Sequence, residues 1–175
     1  MSGKRNDPLI TLNNFEKDVC KLIAKLRYEE ARGKNVTNAQ VSVTDDVLEP
    51  DREGAMAEMA FCKLARVYPE FVLTLGVRSK RAGADFGDVL YKSRHIDVKA
   101  TAWKNGKLIC SIVNPNVDYY ALMVGTDGNY RLAGLMASKE LHSKERFGLH
   151  GIFKRECFKA DQEELIQWIV FSEDA

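Results

Sequence analysis

Apolar side chains recur at helical spacing in the first part of the chain. Residues 13–31 predict a helix that begins at a cap formed by Asn13 or Asn14 and ends near Gly33. A polar stretch follows it and predicts a loop. The apolar stripe expected on this first helix consists of Phe15, Val19, Leu22, Ile23 and Leu26.

A second helix and a strand-rich region follow. The helix is expected to begin at about Asp51, a suitable cap, and to be stopped by Pro69. After it the pattern changes to short β-rich runs that are separated by glycine, asparagine or charged residues. These runs are FVLTLGV (71–77), DVLYK (88–92), HIDVKAT (95–101), KLICSIV (107–113), DYYALMV (118–124) and NYRLAGL (129–135).

The last two runs flank residues 125–128, Gly-Thr-Asp-Gly, which predict a hairpin turn. A C-terminal helix is expected at about residues 161–170, with Asp161 as its cap. Its buried stripe would consist of Leu165, Ile166, Trp168 and Ile169. The order of elements predicts an α/β fold, a central mixed β-sheet flanked by helices.

Length and composition predict a single domain spanning residues 1–175, with 45% hydrophobic residues. Lys and Arg number 26 against 25 Asp and Glu, so attraction to nucleic acid requires a local basic patch. The four cysteines form no CxxC pair and predict reduced core residues of a cytoplasmic protein. No secretion signal or membrane span is expected.

Acidic side chains concentrate in the stretch GADFGDVLYKSRHIDVKAT, residues 83–101. Strand alternation places Asp97 and Lys99 on one face, roughly 7 Å apart at their backbones, with Ile96 and Val98 on the other. Antiparallel pairing of the two runs would bring Asp88 close to both. Two converging carboxylates beside one lysine favour a hard cation such as Mg²⁺, whereas an ordinary surface ion pair is the alternative.

Glu58 lies on the small-residue, inward side of the second helix. A buried carboxylate requires a partner, because its desolvation is costly. That partner is either the expected cation or an arginine such as Arg78 or Arg131.

A helix bearing Glu, a strand opened by Asp and a strand carrying D-x-K together resemble the PD-(D/E)XK nuclease superfamily. The sequence pattern GDV…IDVKAT is similar to that of small phage and bacterial members of this superfamily. The resemblance covers about residues 51–101. It implies a restriction-endonuclease-like fold with a helical segment at 13–33 and a catalytic core at about 51–136.

The resemblance also implies the role of each site residue. Asp88 and Asp97 would bind Mg²⁺ or Mn²⁺, with Glu58 as a direct or water-mediated third acid and the backbone carbonyl of Val98 as a further ligand. Lys99 would orient or help deprotonate the attacking water and stabilise charge on the phosphate. Such a cation lowers the pKa of bound water and neutralises phosphoryl oxygens.

The sequence departs from the family pattern in two places. Gly87 stands where the family has proline before Asp88, and Asp85 is an alternative metal ligand, twelve positions before Asp97. Residues 102–118 look extended, although the family usually has a helix between the D-x-K strand and the next strand.

Basic residues flank the acidic segment and are candidates for nucleic-acid contacts. Trp103 lies among them and is expected to cap the core, with stacking on a base as the alternative. The basic residues are Arg78, Lys80, Arg81, Lys104 and Lys107.

The resulting hypothesis is a Mg²⁺- or Mn²⁺-dependent endodeoxyribonuclease, phage-encoded or acting in DNA repair, recombination or restriction. DNA is its expected partner, and a homodimer is expected if it cuts both strands. The alternative is a catalytically inactive nuclease-fold protein that binds nucleic acid or a protein.

Overall fold

A computed structural model describes residues 7–33, 48–69, 87–150 and 155–174. In these residues the chain is mixed α/β, with helices packed against a sheet of both parallel and antiparallel strands. The coarse fold class expected from the sequence is therefore confirmed. Among the described residues, no helix is both long enough and apolar enough to cross a membrane.

The first helix, α1, spans Asn14–Gly33. Asn13 caps it, since its Oδ1 accepts the Glu16 N–H at 2.9 Å while a Glu16 carboxylate oxygen accepts the Asn13 N–H at 2.7 Å. The predicted apolar stripe is only partly correct, because Phe15 and Leu22 are 76% and 58% exposed. Ile23 is buried as predicted, and Cys20 and Ala24 complete the buried face.

The second helix, α2, spans Glu49–Ala65 and ends at Arg66 in the left-handed conformation. Pro50 lies in its first turn, where a missing N–H costs nothing. Alanines on its inner face allow close approach, and the Cys20 thiol of α1 donates to the Ala55 carbonyl at 3.4 Å. The helix predicted from Asp51 to Pro69 is confirmed, shifted by a few residues at each end.

The main sheet has five strands in the order β1-β6-β5-β3-β2. Within it β3 and β5 run parallel, and the other neighbours pair antiparallel. Its strands are β1 (Leu9–Thr11), β2 (Val89–Tyr91), β3 (Arg94–Thr101), β5 (Tyr119–Thr126) and β6 (Asn129–Ala137). The predicted strand at 71–77 lies outside the described residues.

The hairpin predicted around residues 125–128 is confirmed. Asp127 and Gly128 form its two-residue turn with φ of 48° and 78°, the left-handed values that suit the twist of paired strands. Glu53 of α2 accepts hydrogen bonds from the Asp127 N–H and the Tyr130 hydroxyl, which attaches the hairpin to the helix.

A second, three-stranded sheet has the order β4-β8-β7. Its strands are β4 (Leu108–Cys110), β7 (Phe147–His150) and β8 (Arg155–Ala160). The chain passes from β3 to β5 through β4, and residues 102–118 contain no helix, as their extended pattern predicts.

The continuous helix predicted at 161–170 is wrong. Asp161 caps a single 3₁₀ turn, Gln162–Glu164, after which Ile166 pairs with Leu135 of β6. Because this bridge holds Ile166 extended, the final helix, α4, begins only afterwards and spans Trp168–Asp174. A short helix, α3, lies earlier in the chain at Ser138–Leu141. Ile169 is consequently exposed rather than part of a buried stripe.

The two faces of the main sheet bury two separate cores. One core joins α1 and α2 to residues such as Ile96 and Val98. The other joins the opposite face, including Tyr120 and Leu122, to the second sheet. The four cysteines are buried and free of disulfide bonds, as core residues should be.

Candidate active site

The hairpin of β2 and β3 positions the first acidic residue. Lys92 and Ser93 form its two-residue turn at φ of 45° and 64°, and the register pairs Val89 with Ile96. The Asp88 N–H donates to the Ile96 carbonyl at 2.9 Å, and an Asp88 carboxylate oxygen accepts the Val98 N–H at 2.7 Å. The carboxyl of Asp88 is thus held at Val98, the residue between Asp97 and Lys99.

Val98 presents a second oxygen at this edge of the sheet. The N–H and C=O of one strand residue point to the same edge, so the Val98 carbonyl faces the side on which Asp88 lies. Alternate residues of β3 point their backbone groups the other way, where β5 pairs with them. This orientation agrees with the role that the family resemblance implies for Val98.

Asp97 and Lys99 project together from one face of β3, and Ile96 and Val98 project from the other, as the alternation predicts. Asp97 Oδ1 lies 2.5 Å from Lys99 Nζ, and the two side chains are 16% and 37% exposed. Lys99 Nζ also lies 5.8 Å from the centre of the Tyr120 ring, within cation–π range. The lysine is therefore held in place from two sides.

Glu58 is buried on the inner face of α2, as predicted, and an arginine neutralises it. Arg27 of α1 donates from both terminal nitrogens to the two carboxylate oxygens of Glu58, each at 2.8 Å. The alternative raised by the sequence is thus the arrangement found, although with Arg27 rather than with Arg78 or Arg131. Arg131 instead pairs with Asp7 at 2.5 Å.

The acids nevertheless interact electrostatically. Burial raises the pKa of Asp88 well above its usual value, and the negative charges of Glu58 and Asp97 raise it further. The Lys99 ammonium and the Val98 N–H oppose this rise. These electrostatic interactions join Asp88 to Glu58, Asp97 and Lys99, and with Arg27 they define the charged cluster.

The two bases of the cluster are held in their charged forms. Burial lowers the pKa of Lys99, but its neighbours Asp97 and Asp88 outweigh this and the pKa rises. The pKa of Arg27 rises in the same way, against burial, through Glu58 and then Asp88. Counted over these five described groups alone, three acids and two bases give a net charge of −1 when all are ionised.

This donor set suits a hard divalent cation in part. Asp88, Asp97 and the Val98 carbonyl provide oxygen atoms, which Mg²⁺ prefers, and the excess negative charge favours a cation. Glu58 is engaged by Arg27, so among the described residues the proposed acidic ligands are Asp88 and Asp97. In the described residues, no group of three or more His, Cys, Asp or Glu side chains is arranged to hold a metal ion.

The remaining predicted residues are only partly covered. Arg78, Lys80, Arg81 and Asp85 lie outside the described residues. Lys104 is exposed, whereas Lys107 is paired with Asp161 at 2.6 Å. Trp103 does not cap the core, because its side chain is 79% exposed on the turn after β3.

Arg27 is the residue of this cluster that the sequence reasoning missed. It follows Cys20, Ile23 and Ala24 at helical spacing, on the buried face of α1. A lone basic residue on a buried stripe signals a buried acidic partner, but the stripe expected from the sequence did not include Arg27.

No family model matches this chain, and no curated protein or solved structure matches it. The resemblance to PD-(D/E)XK nucleases therefore rests on the motif residues and their arrangement.

Asp88→Asn is expected to stabilise the metal-free protein by about 0.5–2 kcal/mol, although it removes a native charge. Asparagine retains an oxygen that accepts the Val98 N–H and lacks the charge that burial, Glu58 and Asp97 disfavour. Thermal unfolding in EDTA measures the difference, and Asp127→Asn, which removes an exposed carboxylate paired with Lys17, is the control for loss of a surface charge.

The stability gain of Asp88→Asn is expected to depend on pH. Since the pKa of Asp88 is higher in the folded than in the unfolded chain, its contribution to stability falls as pH rises from its ordinary pKa through the raised one. The gain of Asp88→Asn should vanish in acid and be complete above the raised pKa. Equal or lower stability of the variant at neutral pH would contradict this account.

Proposed function

We propose that this chain is a divalent-metal-dependent nuclease that hydrolyses DNA phosphodiester bonds. The observation that supports it most directly is the position of Asp88, whose carboxyl binds the Val98 N–H between Asp97 and Lys99. Acids that raise each other's proton affinity destabilise the fold, so their convergence beside a lysine favours a functional reason. The finer fold proposal, a restriction-endonuclease-like core, rests on the same arrangement.

Asp88, Asp97 and the Val98 carbonyl are the groups proposed to hold Mg²⁺ or Mn²⁺. Such a cation, when bound, makes water more acidic and neutralises charge on the phosphate. Lys99, aligned by Asp97 and the Tyr120 ring, would donate hydrogen bonds to the phosphoryl oxygens as their charge grows. Arg27 would hold Glu58 in place, and because this pair is neutral as a whole, the negative charge that attracts a cation would come from Asp88 and Asp97.

A cleavage panel tests this proposal. The purified chain is incubated with single-stranded, linear duplex, supercoiled, flap and four-way-junction DNA, with Mg²⁺, with Mn²⁺ or with EDTA. Cleavage of at least one DNA form is expected with a divalent ion and is expected to stop with EDTA. Lack of cleavage of every form with both ions would contradict the enzyme assignment.

The products from supercoiled DNA indicate how many centres act together. One centre cuts one strand, so a monomer would give nicked circles, whereas a homodimer would give linear DNA directly. We propose a homodimer only for the second outcome.

The Arg27–Glu58 pair favours a second candidate, a catalytically inactive nuclease-fold protein that binds nucleic acid or a protein. Arginine then replaces the cation as the partner of the helix carboxylate. Calorimetric titration with Mn²⁺ separates the two candidates. Binding that is lost in Asp88→Asn and in Asp97→Asn supports the nuclease, and absence of binding in the wild type supports the second candidate.

A further inference from the structure

Trp103 is a large apolar side chain held in water. It is 79% exposed and lies two residues beyond the end of β3, the strand that carries Asp97 and Lys99. Exposing such a ring forfeits the free energy that its burial would provide. The hydrogen bonds of the turn around it show how firmly the backbone at Trp103 is fixed.

The turn is tightly built from its own residues. The Trp103 N–H donates to Thr101 Oγ1 at 3.2 Å, and the Gly106 N–H donates to the Trp103 carbonyl at 2.8 Å. A side chain at Gly106 would meet Thr101 Oγ1 at 2.5 Å, so the turn closes this tightly only with glycine. The backbone that carries the indole is therefore well defined.

Side chains from distant parts of the chain anchor the same turn. Arg131 of β6 donates to the Lys104 carbonyl at 2.7 Å. Gln162 donates to the Lys104 carbonyl at 3.0 Å and to the Gly106 carbonyl at 2.7 Å. Because these bonds fix the backbone of the turn and leave the indole outside, a ligand that stacks on the ring need not order the turn itself.

The position of the turn relates it to the candidate active site. Thr101 lies on the same face of β3 as Lys99, about 7 Å along the strand at 3.3 Å per residue. Lys104, beside the indole in sequence, is exposed. An exposed indole followed in the chain by an exposed lysine suits a nucleotide, whose base stacks on an aromatic ring while its phosphate attracts a cation.

We infer that Trp103 and Lys104 form a stacking site for an unpaired nucleobase, so that the substrate is DNA with a single-stranded segment. This inference rests on the proposed function for its link to cleavage. The reason for an unpaired base is geometric, since a base inside a duplex has both faces covered by its neighbours.

Tryptophan fluorescence tests the stacking directly. The full chain in EDTA is titrated with a 20-nucleotide oligothymidine and, separately, with a duplex of equal length. The wild type is expected to bind the single strand more tightly and to lose emission. Trp103→Phe should remove that quenching, although Trp168 still emits from its packing against Phe61.

Affinities of substituted chains complete the test. Trp103→Ala should weaken binding of the single strand by about tenfold or more, with Trp103→Phe retaining most of it. Phe15→Ala, another aromatic with 76% exposure, is the matched control and should leave affinity unchanged. Melting curves establish that each variant is folded.

Two outcomes would overturn the inference: unchanged affinity of folded Trp103→Ala, or equal affinity of the wild type for single strand and duplex. A ring that meets a protein partner instead would give the first outcome. Failure of the nuclease proposal has a different signature, because the DNA would then be bound through Trp103 but cut with neither Mg²⁺ nor Mn²⁺.

Discussion

Arg27→Met is expected to lower the free energy of unfolding by about 3–5 kcal/mol. Methionine preserves most of the side-chain volume but removes both hydrogen bonds to Glu58, whose side chain is only 11% exposed. The remaining carboxylate would then be buried without its arginine, close to the negative charge of Asp88. Chemical denaturation in EDTA, compared with the wild type, measures the loss.

The matched controls separate charge burial from packing. Arg27→Met combined with Glu58→Gln should recover most of the stability, because no unpaired charge remains. Lys25→Met removes a surface cation two residues away, whose contact with Glu29 is exposed and 4.0 Å long, and should change stability by less than about 1 kcal/mol. If the single and double variants at Arg27 were equally unstable, lost packing rather than Glu58 would be the cause.

Local rules were sufficient for the hairpin that carries the acids. The alternation in HIDVKAT correctly separated Asp97 and Lys99 from buried Ile96 and Val98. The short break between the two runs correctly predicted antiparallel return, because a two-residue turn leaves no other pairing. Period and turn length are properties of adjacent residues, so the sequence alone contains them.

Partners distant in sequence were not predictable in the same way. Glu58 lies 31 residues from Arg27, and many arginines of the chain were equally available by sequence. The apolar stripe assigned to α1 included Phe15 and Leu22, which turned the expected buried face away from Arg27. Which residues face the neighbouring helix is decided by packing and not by hydrophobicity alone.

The prediction of a C-terminal helix at 161–170 failed for a related reason. Asp161 with Glu164 forms the capping box that usually starts an α-helix, and it starts only one turn here. Ile166 then exchanges backbone hydrogen bonds with Leu135 at 2.8 and 2.9 Å, and this long-range bridge overrides the local helix signal. The strands β7 and β8 were also missed, although they are neighbours in the chain and pair with each other, and β8 pairs in addition with the distant β4.

The site combines groups from two layers that are separate elsewhere in the molecule. Glu58 belongs to the helical layer on one face of the main sheet, whereas Asp97 and Lys99 belong to the opposite face, beside Tyr120. Asp88 lies at the strand edge where β2 begins and interacts with acids from both layers. A cation at this edge would be reached by oxygens from the strands, while the helix carboxylate stays paired with Arg27.

Lys99→Met is expected to reduce metal-dependent DNA cleavage by about 10²–10³-fold while leaving Mn²⁺ binding in place. The ammonium is proposed to stabilise charge that develops on the phosphate, and losing one such donor typically costs this much. Asp97→Asn should instead lose both cleavage and most of the Mn²⁺ affinity, because it removes a proposed ligand. Cleavage rates and Mn²⁺ calorimetry on the same preparations distinguish these roles.

Lys99→Met also removes the partner of Asp97, so its folding must be measured alongside. Lys99→Arg retains the charge, and partial activity in it would indicate that positive charge itself, rather than the shape of the side chain, is required. Lys25→Met serves here as the surface control and should cut at the wild-type rate. Full activity of folded Lys99→Met would remove the lysine from the mechanism, whereas loss of Mn²⁺ binding in Lys99→Met but not in Asp97→Asn would reverse the proposed roles of the two residues.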